Sequence, residues 1–263
     1  MGRAAPTRLP VSVCMISGAE APRIGRALES VAPFAAEMIV VLNAEVADGT
    51  QQVAVRHGAK VFREPWKGFV GQKNSAAEKS VQPWVLNIDA DEVVPPELAR
   101  EIGGVLNEST STHAAYEFPR CTYYCGRWIR HGDWYPDRIC RLWKRGSARW
   151  VGQEPHARLE VGGSIGRLRA DLLHFSNESI ARQISKIVPY NEAMAQRRVA
   201  SGKSAGMFEL TVRPWWRFFR AYFLRLGFLD GWQGFYIAGL SSFSTMTRYA
   251  LVREAEEQSK KKG

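Results

Sequence analysis

The sequence predicts an α/β fold, a mostly parallel sheet flanked by helices, followed by a helical C-terminal extension. Three observations carry that reading. Short apolar runs alternate with amphipathic stretches of helical length over residues 11–91. A stretch rich in aromatics, Gly and Arg follows over 115–175, and from about 178 the chain becomes helical again, now apolar, aromatic and basic. The 263 residues, 45% hydrophobic and 24% charged, suffice for a sizeable core, which excludes a disordered chain, a collagen and a stapled mini-protein.

The expected strands are VSVCMI (11–16), EMIVVL (37–42), AKVF (59–62) and WVLNID (84–89), with helices over 22–32, 48–57 and 70–80 between them. Right-handed crossovers through those helices make the strands parallel and cover both faces of the sheet. Ligands of such sheets bind beyond the carboxyl ends of the strands, so chemistry is expected at 17–20, 43–48, 63–66 and 89–92. A polar helix near 96–107 comes next, then strand-like pieces at AYEFPR, RICRLWKR and ARLEVGG among irregular loops. Residues 178–201 read as one helix, and 207–254 carry WWRFFRAYFLRLGFLDGWQGFYIAGL.

Thirty-six Lys and Arg against 26 Asp and Glu give a net charge of +10, which calls for an anionic partner: nucleic acid, a membrane surface or a phosphorylated substrate. Residues 182–263 hold 14 Lys and Arg against 6 Asp and Glu, so the basicity is concentrated there. No zinc-finger spacing or RNA-recognition motif accompanies it, and nucleic acid is not the expected partner. Arg217, Arg220, Arg225, Asp230 and Gln233 interrupt any run approaching the roughly 20 apolar residues of a transmembrane helix. The aromatics among them fit an interfacial helix on an anionic membrane surface, or a helix packed on the preceding domain with snorkelling arginines. Cys14, Cys121, Cys125 and Cys140 form no C-x-x-C pair, and the N-terminal MGRAAPTRLP has neither the apolar stretch of a signal peptide nor a myristoylation pattern. A cytoplasmic protein with reduced thiols is expected.

The sharpest motif is NIDADE, where Asp89 and Asp91 flank Ala90 at the end of an apolar strand. Two carboxylates at that spacing can converge on Mg or Mn, which joins carboxylates to substrate phosphate oxygens. A D-x-D is also a helix cap, and Asp91 could cap the helix beginning near Pro95. The strand-end position favours the metal. In QKNSA, Lys73 at a helix N-terminus could meet a diphosphate or lie on a solvated face. Trp66 could stack on a base or sugar, or pack in the core.

The sequence resembles the family-2 inverting glycosyltransferases of the GT-A fold and, within them, the lipopolysaccharide inner-core β-glucosyltransferases. The residues that carry the resemblance are VSVCMISGAE, RALESV, EMIVVLNAEVADGT, GAKVFREPWKGFVGQKNSA, WVLNIDADE, GRWIRHGDWYPDRICRLWKRG, LLHFS and RPWWRFFRAYFLRLGFLDGWQGF, which span nearly the whole chain. The first half is shared by many sugar transferases, whereas GRWIRHGDWYPD and FLRLGFLDG belong to the narrower group. The resemblance implies a Rossmann-like GT-A catalytic domain over 1–177, with a nucleotide-sugar half at 11–107 and an acceptor half at 108–177. Residues 178–263 would form a basic, aromatic, membrane-proximal extension. It also implies a nucleotide-sugar donor, UDP-linked, whose diphosphate meets a divalent cation on Asp89 and Asp91, and a hexose, glucose, transferred with inversion to a lipid-linked saccharide. The enzyme would then work peripherally on the inner face of the cytoplasmic membrane.

Two departures bear on the donor. The family's Lys-Asn-Glu after the first strand reads Gly18, Ala19, Glu20, so Glu20 alone is retained as a donor-site candidate. The family's Asp that holds the uracil or ribose falls on Asn43, which can hydrogen-bond but carries no charge, while a later Asp is kept as Asp48. Donor-binding candidates are thus Glu20, Asn43, Asp48, Lys73 and Asp89. The catalytic base is expected at Asp137, in WYPDR, ahead of Glu154, in GQEPH; either could instead be a structural ion pair with nearby arginines. Arg127, Arg130, His131 and Trp134 are the acceptor-binding candidates, and an exposed basic loop is the competing reading. His174, after an apolar run, reads as a buried histidine.

Competing functions are a nucleotidyltransferase, which would need a Gly-rich phosphate loop after the first strand that SGAE lacks, and a degenerate donor-site homologue that binds membrane or glycan without turnover. Gly18, Ala19 and Asn43 prompt the second of these.

Overall fold

The computed structural model describes residues 8–107, 112–152, 157–176 and 179–260. In chain order the elements are β1 (Leu9–Ser17), α1 (Ile24–Val31), β2 (Ala35–Asn43), α2 (Thr50–Arg56), β3 (Lys60–Glu64), α3 (Gly68–Glu78), β4 (Trp84–Asn87), β5 (Glu92–Val93), α4 (Pro96–Asn107) and β6 (Ala115–Tyr124). They continue as β7 (Arg127–Ile129), β8 (Asp137–Lys144), β9 (Ala148–Val151), β10 (Arg158–Val161), β11 (Ile165–Arg167), β12 (Leu172–Phe175), α5 (Ile180–Ser185), α6 (Ile187–Ala200), α7 (Met207–Phe219) and α8 (Gly231–Lys260). The chain forms two compact units, Met1–Cys121 with Asp137–Phe175, and Thr122–Pro136 with Ser176–Gly263.

In the first unit the strands run β3-β2-β1-β4-β8-β6-β12-β5. β3, β2, β1 and β4 are parallel, and β8 then pairs antiparallel with β4 and with β6. This is the mostly parallel α/β sheet that the apolar runs predict. Side chains alternate across a strand, so β1 serves two cores. Val11, Val13 and Met15 face one side, where Ile24, Leu28 and Val31 of α1 and Leu98 and Ile102 of α4 cover them. Cys14 and Ile16 face the other, with Ile39, Val41, Val85, Trp143 and Ala76 of α3. Helices on both faces leave the strand ends as the open part of the sheet. Ser17, Asn43, Glu64 and Asn87 end the four parallel strands at one edge.

The second unit is built mainly from α6, α7 and α8, with Tyr124, Ile129 and Ile237 in one small core and Ala195, Ala205, Tyr249 and Val252 in another. The single helix expected over 178–201 is two, α5 and α6, separated at Lys186. Between α7 and α8 the chain passes through a π-turn, Arg220–Leu224, and a 3₁₀ turn, Gly227–Asp230. Two glycines make that turn possible. A Cβ on Gly227 would lie 2.6 Å from the Ala221 carbonyl, and one on Gly234 would collide with the Gly227 carbonyl. The spacing in FLRLGFLDGWQG is therefore a backbone close approach. No helix among the described residues is long and apolar enough to cross a membrane.

Candidate active site

A cavity of about 550 Å³ opens at the carboxyl edge of the parallel strands. Ser17, Gly18 and Glu20 reach it from the end of β1, Asn43 from the end of β2, Lys73 from α3, and Asp89 and Asp91 from the loop after β4. Trp66 and Phe69 stand at it with ring centroids 4.9 Å apart in a T-shaped pair, both about half exposed. Half-exposed aromatic rings on a cavity wall offer a stacking face for a flat or ring-shaped ligand.

The NIDADE loop is held from beneath. Glu92, with no exposed surface, accepts the Asp89 backbone N–H at 2.9 Å and a bond from Arg120 Nη1 at 3.2 Å, while the Glu92 N–H returns to the Asp89 carbonyl at 3.0 Å. That reciprocal turn fixes both aspartates. Asp89 itself faces two cations: Lys73 Nζ lies 2.9 Å from Oδ1 and Arg141 Nη2 lies 3.0 Å from Oδ2. Burial would push the Asp89 carboxyl up, but Arg141 and Lys73 outweigh it and hold it well below the usual carboxylate range. For Lys73 burial is the larger influence and draws the ammonium below its ordinary value, with Asp89 opposing. Lys73 is the sixth residue of α3, not its N-terminus, so its place beside Asp89 comes from that ion pair and from a cation–π contact with Trp150 at 4.8 Å.

Asp91 is differently placed. Its side chain is 28% exposed, it lines the cavity, and its Oδ2 lies 3.5 Å from His174 Nε2, on β12. The two-residue strand β5 separates Asp91 from α4, so it does not cap that helix. Among the described residues no group of three or more His, Cys, Asp or Glu converges as a ready-made metal cage. What the cavity offers is one acidic oxygen ligand and one imidazole, open on the side where a substrate would supply the rest. That fits a divalent cation shared with phosphate oxygens.

The other donor-site candidates fall into two groups. Glu20 and Asn43 line the cavity; Glu20 is paired with Arg23, and Asn43 Oδ1 accepts the Glu45 N–H at 3.3 Å. Asp48 is not among the lining residues. It accepts the Thr50 hydroxyl at 2.6 Å, the Thr50 N–H at 3.0 Å and the Ala21 N–H at 3.2 Å, and so ties the loop after β1 to the start of α2. Gly49, at φ +93°, gives the backbone the left-handed step this needs. Arg63 braces the same loop through the Ala44 and Val46 carbonyls and Gln51.

Asp137, the first residue of β8, is also outside the cavity lining. Its Oδ2 accepts Arg120 Nη2 at 2.7 Å and Arg120 Nε at 3.0 Å, the structural ion pair that was the competing reading. Glu154 lies outside the described residues. Arg127, Arg130, His131 and Trp134 belong to the second unit. There Asp230, 2% exposed, accepts the Arg130 and His131 backbone N–H groups at 3.0 and 2.8 Å and faces His131 Nδ1 at 3.0 Å; Arg127 Nη2 donates to the Leu229 carbonyl at 2.8 Å. Trp134 packs edge-on to Tyr124 at 5.2 Å.

Sequence reasoning missed Arg141 and passed over His174. Arg141, 6% exposed, also bonds Asn87 Oδ1 at 2.8 Å, and its only sequence signal is a charge inside the apolar run RICRLW. His174 carries no local signal, since only the sheet brings β12 beside β5 and hence beside Asp91.

Comparison with known proteins follows the same lines. The family described as Glycosyl transferase family 2 matches residues 12–173. A Rickettsia felis protein named uncharacterized glycosyltransferase is 32% identical over 266 residues, covering 95% of this chain and 92% of its own length. A Rhizobium meliloti protein named lipopolysaccharide core biosynthesis glycosyltransferase LpsC is 30% identical over 256 residues, with coverage of 95% and 92%. Among solved structures, the mannosyltransferase PcManGT from Pyrobaculum calidifontis, in complex with GDP-Man and Mn2+, has a TM-score of 0.53 at 14% identity, over 95% of this chain and 89% of that one. S. aureus TarS in complex with UDP-GlcNAc has a TM-score of 0.51 at 15% identity, over 95% and 92%. At those identities the structures speak to the fold, which is GT-A. With a match over more than half of its length and relatives aligned along nearly all of it, the chain belongs to glycosyl transferase family 2 and is a glycosyltransferase that uses a nucleotide-sugar donor.

Proposed function

We propose that this glycosyltransferase moves a hexose, with inversion, from a UDP-linked donor to a lipid-linked saccharide of the lipopolysaccharide inner-core kind, with Mg or Mn as cofactor. The observation that carries the reading is the cavity at the strand ends, which Asp91 and His174 line side by side while Asp89 is ion-paired to Lys73 and Arg141. Asp91 and His174 would hold the cation, and the Asp89 cluster shapes the wall beside it. When bound, the cation neutralises charge developing on the departing diphosphate. Trp66 and Phe69 offer the base a stacking face, and Asn43 offers the nucleoside a neutral donor and acceptor. Support for the acceptor comes from the Rhizobium meliloti relative, whose name places it in lipopolysaccharide core biosynthesis. Support for the donor and the cation comes from the ligands named for the two fold neighbours.

Inversion needs one carboxylate to take the acceptor proton. Asp137 has its Oδ2 tied to Arg120, which leaves Glu154 as the stronger base candidate. The second unit exposes Trp215, Trp216, Phe219, Phe223 and Trp232 beside Arg217, Arg220 and Arg225, a composition suited to the headgroup level of an anionic membrane. Peripheral attachment there would bring the enzyme to a lipid-anchored acceptor.

The test is a panel of UDP-, GDP- and ADP-sugars with Mg or Mn, read by thermal shift and by release of nucleoside diphosphate, on wild type and Asp91→Ala. Stabilisation by a UDP-sugar that needs the metal and disappears in the variant is the expected result. Metal-independent release, or release unchanged in Asp91→Ala, would refute the metal site. No release with any donor, even when lipid-linked acceptor is present, would make this chain a glycan-binding relative without turnover.

A further inference from the structure

The second unit contains a separate cavity of about 220 Å³. Its wall includes Trp134, Tyr190, Arg217, Ser241, Ser244 and Arg248, and no acidic residue is among the described residues that line it. Two guanidiniums on a small cavity, with Asp133 shared among three arginines as the carboxylate beside them, make a site of positive potential.

Each arginine is held in place. Arg248 donates Nε to Asn191 Oδ1 at 3.2 Å. Asn191 has no exposed surface and spends its amide on the Ile187 carbonyl and on Ser244 Oγ, both at 2.8 Å. A buried asparagine costs stability unless all its bonds are met, and here they are met by groups that fix Arg248 and Ser244 on the cavity wall. Because Ser244 Oγ accepts from Asn191, its own proton is left to donate. Arg217 shares Asp133 with Arg220 and Arg225, at 3.5, 2.9 and 3.4 Å, so one carboxylate answers three cations. Arg217 Nε is buried without an acceptor among the described residues. The Arg217 side chain as a whole is 41% exposed, so its remaining N–H groups can still take an anion.

The remaining lining groups select what carries the anion. Trp134 and Tyr190 offer ring faces, and Tyr124 donates to Gln183 Oε1 at 2.6 Å, which fixes a further amide on the wall. Aromatic faces, hydroxyls and amides together suit a sugar ring. The volume lies below the roughly 300–1,000 Å³ of sites for drug-sized ligands, so it is matched to one substituted ring and not to an oligosaccharide. We propose that this cavity is a subsite for a phosphorylated sugar, its phosphate held by Arg217 and Arg248 and its ring by Trp134 and Tyr190. That this sugar is part of the saccharide acceptor rests on the function proposed above; the binding chemistry does not.

The test titrates the full chain with glucose 6-phosphate, glucose, glucuronate, inorganic phosphate and phosphatidylglycerol vesicles, and separately titrates wild type with UDP and Mn. The expected result is saturable binding of glucose 6-phosphate, weakened about tenfold or more in Arg248→Gln, the loss of one charged hydrogen bond, and partly restored in Arg248→Lys. Tyr190→Ala, at a half-exposed position, removes the ring face and should weaken binding more modestly. Glucose or glucuronate binding as tightly would overturn the phosphate assignment. Equal binding by inorganic phosphate or by the vesicles would overturn the sugar assignment. No binding of glucose 6-phosphate, or equal affinity in a folded Arg248→Gln, would remove the subsite altogether. A protein that binds glucose 6-phosphate but not UDP would instead refute the donor reading and leave the subsite standing.

Discussion

Arg141 on β8 reaches Asp89 Oδ2 at 3.0 Å and Asn87 Oδ1 at 2.8 Å, so one buried guanidinium fixes both the last residue of β4 and the first aspartate of the NIDADE loop. Removing it would leave Asp89 with Lys73 alone and the Asn87 carbonyl oxygen without its donor. Arg141→Met should therefore destabilise the protein by about 3–5 kcal/mol, read by denaturant unfolding, because breaking a buried pair leaves the other charge uncompensated. Arg141→Lys, which keeps the charge but not the fork, should recover only part of the loss. A change below about 0.5 kcal/mol would show that the pair contributes nothing.

The two aspartates of the motif should separate in their effects. Asp89→Ala strands Lys73 and Arg141 as buried cations, so its first consequence is a lowered melting temperature. Asp91→Asn alters only the long 3.5 Å contact with the half-buried His174 and should stay within about 0.5 kcal/mol of wild type in stability. Its metal-dependent release of nucleoside diphosphate should fall by roughly a hundredfold or more. Equal losses of stability in the two variants would contradict the division of labour.

Glu64 makes a prediction about pH. Lys67, Lys79 and Ser75 hydrogen-bond its carboxylate and lower its pKa from 4.5 to about 2. The unfolded chain takes up this proton at higher pH than the folded one does. The stabilisation is therefore complete above about pH 4.5 and is lost as pH falls towards 2. After allowance for solvent screening it is worth about 1 kcal/mol. The stability gap between wild type and Glu64→Gln, measured by urea unfolding, should be constant near neutrality and close between those two pH values. A gap that widened on acidification would have the wrong sign.

The exposed rings of the second unit should act at a membrane more than in the fold. Trp215 and Phe219 are 75% and 45% exposed. Replacing Trp215 by Ser should leave the melting temperature unchanged and weaken sedimentation with phosphatidylglycerol vesicles by about tenfold, since the exposed ring removed forfeits roughly 1.5 kcal/mol of apolar burial. Phe219, packed on Trp216 and Phe223, should also lose some stability on replacement. Neutral phosphatidylcholine vesicles should bind more weakly than anionic ones at low salt. Binding that ignores both the rings and the lipid charge would rule out this surface as the anchor.

The periodicity of the first hundred residues determined the sheet, its helices and the edge at which the cavity opens, because strand and helix patterns are local properties of the chain. Helix ends near residues 24, 50, 68 and 96 lie within about two residues of where the pattern puts them. The D-x-D was equally visible, and so was the arginine-rich, aromatic character of the C-terminal segment. Tertiary structure alone decided which groups stand beside those residues. It assigned Asp89 to Lys73 and Arg141 and left Asp91 beside His174, through pairings of β4 with β8 and β5 with β12 that join positions more than fifty residues apart. It tied Asp48 to Thr50 and Asp137 to Arg120, and it carried Arg217 and Arg248 to one small cavity. A carboxylate's role depends on which charges stand within a few ångströms of it, and that distance is set by packing between distant parts of the chain.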